Sequence, residues 1–409
     1  MTLDCQPCSI RSGGDAAVPR ILMIGGTRPE AVKLAPLLMD LKARQADVQL
    51  VATGQHRDLF GAALAGFGLS ADHDLGMMAA TPDAVLGALV PALAELMRQS
   101  RPDIVVVQGD TSSTLAGALA ARYAGIRLAH VEAGLRTGSD DPHPEEMHRR
   151  LVAQMAGLHF APTPAAAAAL ADEGVRSGVH VTGNSGIDAL LLMQSRLAGN
   201  KALAAAAAAP VAHIPHGRPW LLATVHRREN QGARLLAVLA ALADLADQAE
   251  VIIPVHPSPA VAGPVRRALG DVDGVHLLPP LDYAPFVALM GRASLVLTDS
   301  GGVQEEAPAI GLPCLVLRDG TERPEGLASG NARLVGTDAA EIALAARAIL
   351  GDSGLRARMA RPALPYGHGR AALAINDVLL RQAVPSSPRT RESWSQSGGH
   401  RPPSPAPAR

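Results

Sequence analysis

The chain has 409 residues, with 37 Lys and Arg against 38 Asp and Glu for a formal net charge of −1, and hydrophobic residues make up 48% but aromatics only 2%. That length suits two α/β domains, whose cores must be built from Ala, Leu and Val. With no basic surplus to neutralise phosphates, a generic nucleic-acid binder is excluded.

Three cysteines cannot form a disulfide framework. Cys5 and Cys8 make a lone C-x-x-C with no second pair, and Cys314 sits in an apolar run, where it reads as core. The sequence has no basic-then-apolar leader and no uninterrupted apolar run of about 18 residues. The expectation is a soluble, cytoplasmic protein with no membrane partner.

Residues 1–19 are polar and Gly-rich and read as a flexible arm. Order begins with the apolar run 20–24, followed by Gly25-Gly26-Thr27-Arg28-Pro29-Glu30 and a helical pattern to residue 44. Pro29 and Glu30 are helix-start signals. The turn lacks G-x-G-x-x-G, so a dinucleotide fingerprint is unsupported. Arg28 and Lys33 either meet an anion here or belong to a solvated first turn.

Residues 48–53 read as a second strand, 81–99 as a helix and 102–107 as a buried strand that ends in Gln108-Gly109-Asp110-Thr111. An Ala-rich helix follows, then a strand over 127–131 ending in Glu132-Ala133-Gly134-Leu135-Arg136. Strands alternating with helices at this spacing predict a parallel sheet wound by right-handed crossovers. Ligands bind beyond the carboxyl ends of such strands, where Asp110 and Glu132 stand.

The next helix opens with Pro142-His143-Pro144-Glu145-Glu146-Met147-His148. Its two histidines are five apart, ~140° around a helix, which does not suit a metal pair. Glu145 in the first turn either complements the helix dipole or serves as a third acid beside Asp110 and Glu132. Residues 179–188 read as a strand leading into a connector. They approach a nucleophile elbow, but Ile187 stands where the second glycine belongs. Residues 202–209 read as a helix and 210–219 as a loop near the domain boundary.

The second half repeats the logic, with strands over 220–224, 251–255, 275–278 and 295–298. His226 leaves the first of these beside two arginines and is the best-placed group to titrate near neutral pH. Phe286 either reaches a nucleobase or fills the core. The last strand runs into Asp299-Ser300-Gly301-Gly302 and a helix. Glycine permits close backbone approach, Ser300 can cap the helix, and the first-turn N–H groups suit a diphosphate. Glu305 and Glu306 then fall within reach of ribose hydroxyls. Residues 318–325 add Arg318, Arg323 and further carboxylates. Residues 339–382 read as helical with a break at 362–369, and the Pro/Ser/Arg tail from 385 cannot bury enough apolar surface to fold.

Several blocks occur together in one order: Gly26-Thr27-Arg28-Pro29-Glu30-Ala31-Val32-Lys33, Gln108-Gly109-Asp110-Thr111 and His130-Val131-Glu132-Ala133-Gly134-Leu135-Arg136-Thr137. Pro144-Glu145-Glu146, His226-Arg227-Arg228-Glu229, Asp299-Ser300-Gly301-Gly302-Val303-Gln304-Glu305-Glu306 and Thr321-Glu322-Arg323-Pro324-Glu325 complete the set. Over roughly residues 20–380 the chain resembles the non-hydrolysing UDP-N-acetylglucosamine 2-epimerase family.

The resemblance implies two Rossmann-like domains with parallel sheets facing across a cleft, a GT-B-like fold. The first would cover 20–186, completed by a helix near 366–382, and the second, UDP-binding domain would cover 187–365. It also implies interconversion of UDP-N-acetylglucosamine and UDP-N-acetylmannosamine, by elimination of UDP to 2-acetamidoglucal and re-addition. Asp110, Glu132 and Glu145 would be the acid/base carboxylates, and His226 would stabilise the diphosphate or move a proton. Arg28, Lys33, Arg136, Phe286, Ser300, Gly301, Gly302, Glu306 and Arg323 would bind the UDP-sugar, with Phe286 at the uracil. The resemblance further implies no metal, no cofactor and a homodimer.

Three positions depart from the pattern: His148 stands where asparagine is expected, Leu281 replaces a glutamine, and Asp58 replaces an occasional glutamine. The alternatives are a hydrolysing epimerase that releases UDP and N-acetylmannosamine, a GT-B glycosyltransferase, and a sugar-nucleotide sensor without turnover.

Overall fold

The computed structural model describes residues 18–55, 57–77 and 81–382. The Cys5/Cys8 pair, most of the expected N-terminal arm and the tail from 385 lie outside them. The first lobe holds strands β1 (Ile21–Gly25), β2 (Val48–Ala52), β3 (His73–Asp74), β4 (Ile104–Gln108), β5 (Arg127–Val131), β6 (Leu158–Ala161) and β7 (Val179–Val181). The second holds β8 (Trp220–Thr224), β9 (Glu250–Pro254), β10 (Val275–Leu278), β11 (Leu295–Thr298), β12 (Cys314–Val316) and β13 (Ala332–Leu334).

The first sheet runs β3-β2-β1-β4-β5-β6-β7 and the second β10-β9-β8-β11-β12-β13. Every neighbouring pair is parallel. Strands buried on both faces need near-continuous apolar runs, and β1 and β4 are buried along their whole length. In both sheets the winding reverses once, between β1 and β4 and between β8 and β11. Each reversal leaves a crevice at the strand carboxyl ends.

One buried apolar cluster joins the lobes, running from Met23 and Leu50 through Ala189, Leu190 and Met193 to Phe286 and Val296. Its middle section lies on the helix Ser185–Gly199, where the sequence suggests only a connector. Asn184 starts that helix, its side-chain oxygen accepting from Gly186 N at 2.8 Å. Close to the chain's end, the helix Ala371–Leu380 returns to the first lobe. Asn376 Nδ2 donates to Leu37 O at 3.0 Å and to Asp40 Oδ2 at 2.8 Å. Among the described residues no helix is long and apolar enough to cross a membrane.

Candidate active site

Where the two crevices face each other, a cavity of about 350 Å³ opens between the lobes. Arg28, Lys33, His226, Phe286, Ser300, Gly302 and Glu306 all line it. Its apolar lining includes Val255, Pro257, Pro280, Leu281 and Phe286. Arg28 and Lys33 bring positive charge to the same lining, and Ser300 and Gly302 bring the start of the helix Gly301–Ala309.

That helix start is open to a ligand. Ser300 takes the N-cap position, but its hydroxyl makes no capping bond, which differs from the expectation that it caps. Nothing lies within 4 Å of where a Cβ on Gly302 would stand. A Cβ on Gly301 would sit 2.5 Å from Arg323 Cζ, so glycine there lets the guanidinium lie against the helix. On the facing lobe, Glu30 accepts from Gly26 N at 3.0 Å and Thr27 N at 2.7 Å. This bond to the N-cap residue fixes the turn that presents Arg28 and Lys33.

Lys33 leads from the cavity wall to the acids. Glu132 follows β5 with φ +66°, a left-handed backbone that costs a non-glycine residue ~1–3 kcal/mol and is found where a side chain must be aimed. Lys33 Nζ bonds its carboxylate, Gln108 Nε2 donates to it at 2.8 Å, and Arg323 stands 3.6 Å away. Lys33 also pairs with Glu305 of the second lobe at 3.0 Å, and Arg323 donates to Glu305 at 2.7 Å. Two buried carboxylates thus share two cations. Burial and the neighbouring Glu305 push Glu132 up against the pull of Lys33 and Arg323. For Glu305 the same burial is outweighed by Arg323 and Lys33, which hold it down.

Asp110, beyond β4, is gripped by the helix Glu145–Met155. Arg149 Nε donates to it at 2.8 Å, and His148 Nδ1 lies 2.8 Å from its carbonyl. Burial works to raise the Asp110 carboxyl, but Arg149, Arg227 and Arg323 keep it below its ordinary value. Glu145 shares the helix face of His148 and Arg149 by its i, i+3, i+4 spacing. Its carboxylate has no ion pair or hydrogen bond among the described residues, and it is half-buried. His148, a departure from the family pattern, therefore helps to hold Asp110.

His226 is oriented by Asp299, which is fully buried. That carboxylate accepts from His226 N at 3.0 Å and Arg227 N at 2.9 Å and lies 3.3 Å from His226 Nδ1. The ring stacks on His256 at 5.5 Å. Enclosure in the cleft lowers the His226 pKa, although Asp299 opposes it. The Nδ1 edge faces Asp299, and the ring forms part of the cavity lining.

Arg136 stands apart from this group. Its guanidinium closes on Glu173 with bonds of 2.8 and 2.7 Å, and it does not line the cavity. Glu305, expected beside Glu306 at a ribose, instead bridges Lys33 and Arg323. Asp299 and Glu322 carry no sequence pattern that assigns them a role of their own. Glu322 bonds Arg318 at 2.8 Å and Arg323, and lies 3.8 Å from Arg149 and 3.9 Å from Arg227. The only signal for either is its place within the Asp299-Ser300-Gly301-Gly302 and Thr321-Glu322-Arg323 blocks.

Two doubly wound parallel sheets facing across a cleft, with a cavity lined by apolar side chains together with Arg28 and Lys33, define a GT-B-like α/β protein. A sequence model of the UDP-N-acetylglucosamine 2-epimerase family matches residues 39–380, and the chain belongs to that family. It is 42% identical over 371 residues to a probable UDP-N-acetylglucosamine 2-epimerase of Ralstonia nicotianae, covering 88% of this chain and 98% of that one. To the UDP-N-acetylglucosamine 2-epimerase of Escherichia coli K12 it is 42% identical over 377 residues, covering 89% and 99%. The crystal structure of UDP-GlcNAc 2-epimerase from Neisseria meningitidis bound to UDP-GlcNAc superposes with a TM-score of 0.86 at 37% identity, covering 89% of this chain and all of that one.

Proposed function

We propose that the protein is a non-hydrolysing UDP-N-acetylglucosamine 2-epimerase, interconverting UDP-N-acetylglucosamine and UDP-N-acetylmannosamine. One observation carries the reading: Lys33 lines the cavity and also bonds Glu132. An acid of the first lobe therefore stands one side chain behind the wall of the cavity that Ser300 and Gly302 of the second lobe also line.

In this reading uracil lies against Phe286 and the ribose hydroxyls meet Glu306. The diphosphate takes Arg28, Lys33, Arg323 and the Ser300-Gly301-Gly302 turn, and the hexose extends toward the acids. Asp110, kept ionised by Arg149, is suited to remove the C2 proton, while Glu132, pushed up by burial, is suited to carry one. Glu145 completes the acid set. As the C2 proton leaves, the C1–O bond breaks, and its electron pair departs with UDP, leaving 2-acetamidoglucal. His226 and the helix start stabilise the charge on the leaving diphosphate. Re-addition of UDP oxygen to C1, with a proton delivered to the other face of C2, gives the epimer.

Starting from either UDP-sugar, chromatography should show the same mixture of the two with little free UDP. Accumulation of UDP with free N-acetylmannosamine would contradict it and favour the hydrolysing reaction. The same reading makes the working unit a cytoplasmic homodimer, measurable by analytical ultracentrifugation.

A further inference from the structure

Tyr283 begins the helix Tyr283–Met290 of the second lobe and is 5% exposed. Its hydroxyl donates to Glu306 Oε1 at 2.8 Å. Its ring lies 5.7 Å from that of Phe67, tilted by 33°. Phe67 belongs to the other lobe, just beyond the helix Arg57–Gly66, and is 3% exposed. Leu59 of that first-lobe helix reaches the same cavity as Tyr283 and Glu306. Arg28, also of the first lobe, faces Asp282, Glu306 and Tyr283.

We propose that Tyr283 is a positioning residue for the nucleoside end: held by Phe67 across the cleft, it fixes one oxygen of Glu306 so that the other meets the ribose hydroxyls. This rests on the assignment of Glu306 to the ribose. Above the pH at which Glu306 ionises, its carboxylate only accepts, so the phenol and the ribose hydroxyls then all donate to it. A carboxylate left to rotate would present its oxygens to the ribose in several orientations, and the phenol removes that freedom. Because the phenol is braced from the opposite lobe, ribose recognition depends on the two lobes being together. A tyrosine serving only the core would need no carboxylate partner in the cavity wall.

The test compares binding of UDP and of 2′,3′-dideoxy-UDP by calorimetry. Tyr283→Phe keeps the ring contact and removes the donor. It should weaken UDP about fivefold, the size expected for one hydrogen bond, and leave the dideoxy nucleotide unchanged. Phe67→Leu keeps apolar volume but removes the ring brace, and should also weaken UDP more than the dideoxy compound. No loss in Tyr283→Phe, or equal losses for both ligands, overturns the proposal while the function stands. An equal loss, or none, in Phe67→Leu overturns the cross-lobe brace. Should Tyr283→Phe not fold, Phe67→Leu still decides. A wild-type protein that does not bind UDP at all sinks the proposed function and this inference with it.

Discussion

Lys33 of the first lobe and Glu305 of the second lie 3.0 Å apart, both almost wholly removed from water. Glu132 bonds the same ammonium, so one cation holds an acid from each lobe. Lys33→Met would leave the two carboxylates with Arg323 as their shared cation. Removing one partner of a buried ion pair costs about 3–5 kcal/mol. Urea unfolding of the variant should show a loss of that size, and a loss below about 1 kcal/mol would mean that the lobes are held by other contacts.

Glu306 provides the pH test. Burial is the main cause that pushes its carboxyl up to about 7, against the bond from Tyr283, from an ordinary value of 4.5. Glu305 raises it further, while Lys33 and Arg28 oppose. With the folded pKa above the unfolded one, the folded state binds more protons between these two values. Its stabilising contribution is therefore complete below the unfolded pKa and is lost as pH rises through the folded one. Relative to Glu306→Gln, the wild type should lose up to about 1.4 kcal/mol per pH unit across that window. A difference independent of pH would mean that Glu306 is not raised.

Asp110→Asn should preserve the fold, because Arg149 keeps its 2.9 Å bond to Glu146. The variant should bind UDP as the wild type does while turnover falls at least about 100-fold, as expected when a general base is removed. Unchanged turnover would take Asp110 out of the mechanism.

Gly26→Ala tests the turn that carries Arg28. A Cβ at this position would stand 2.0 Å from Thr53 Oγ1 and 2.3 Å from Ser113 Oγ. Those hydroxyls are bonded to each other at 2.8 Å and cannot both retreat. Overpacking of this kind costs about 1–3 kcal/mol. Thermal unfolding should register that loss together with weaker UDP binding; a melting temperature equal to wild type would show that the turn has room.

Much of this arrangement is legible in the sequence because parallel sheets deliver their loops to one edge. Asp110, Glu132, His226 and Ser300 each follow an apolar run, so the order of residues alone assigns each to the carboxyl edge of its own sheet. Strands β3, β6 and β13, of 2, 4 and 3 residues, are not read from the sequence, since so short an element shows only where an apolar run marks it, and His73-Asp74 and Ala332-Arg333-Leu334 are not such runs. The helix Ser185–Gly199 is masked by its Asn-Ser-Gly start, which resembles a turn. Glu305, Glu322, Tyr283 and Asp299 acquire their roles only through contacts between distant segments. Local pattern cannot report that Glu305 turns to Lys33, whereas Glu306, one residue later, faces the cavity. Arg136 illustrates the converse: it sits in a matching block, yet its guanidinium is bound by Glu173, 37 residues away.

The central claim is that a proton leaves and returns at C2 while UDP is retained. Proton NMR of the enzyme incubated with UDP-N-acetylglucosamine in D2O tests it directly. The expected result is loss of the C2 proton signal from both UDP-sugars, with the nucleotide still attached. Epimer formed without deuterium at C2, or free sugar appearing in step with UDP, would contradict the account.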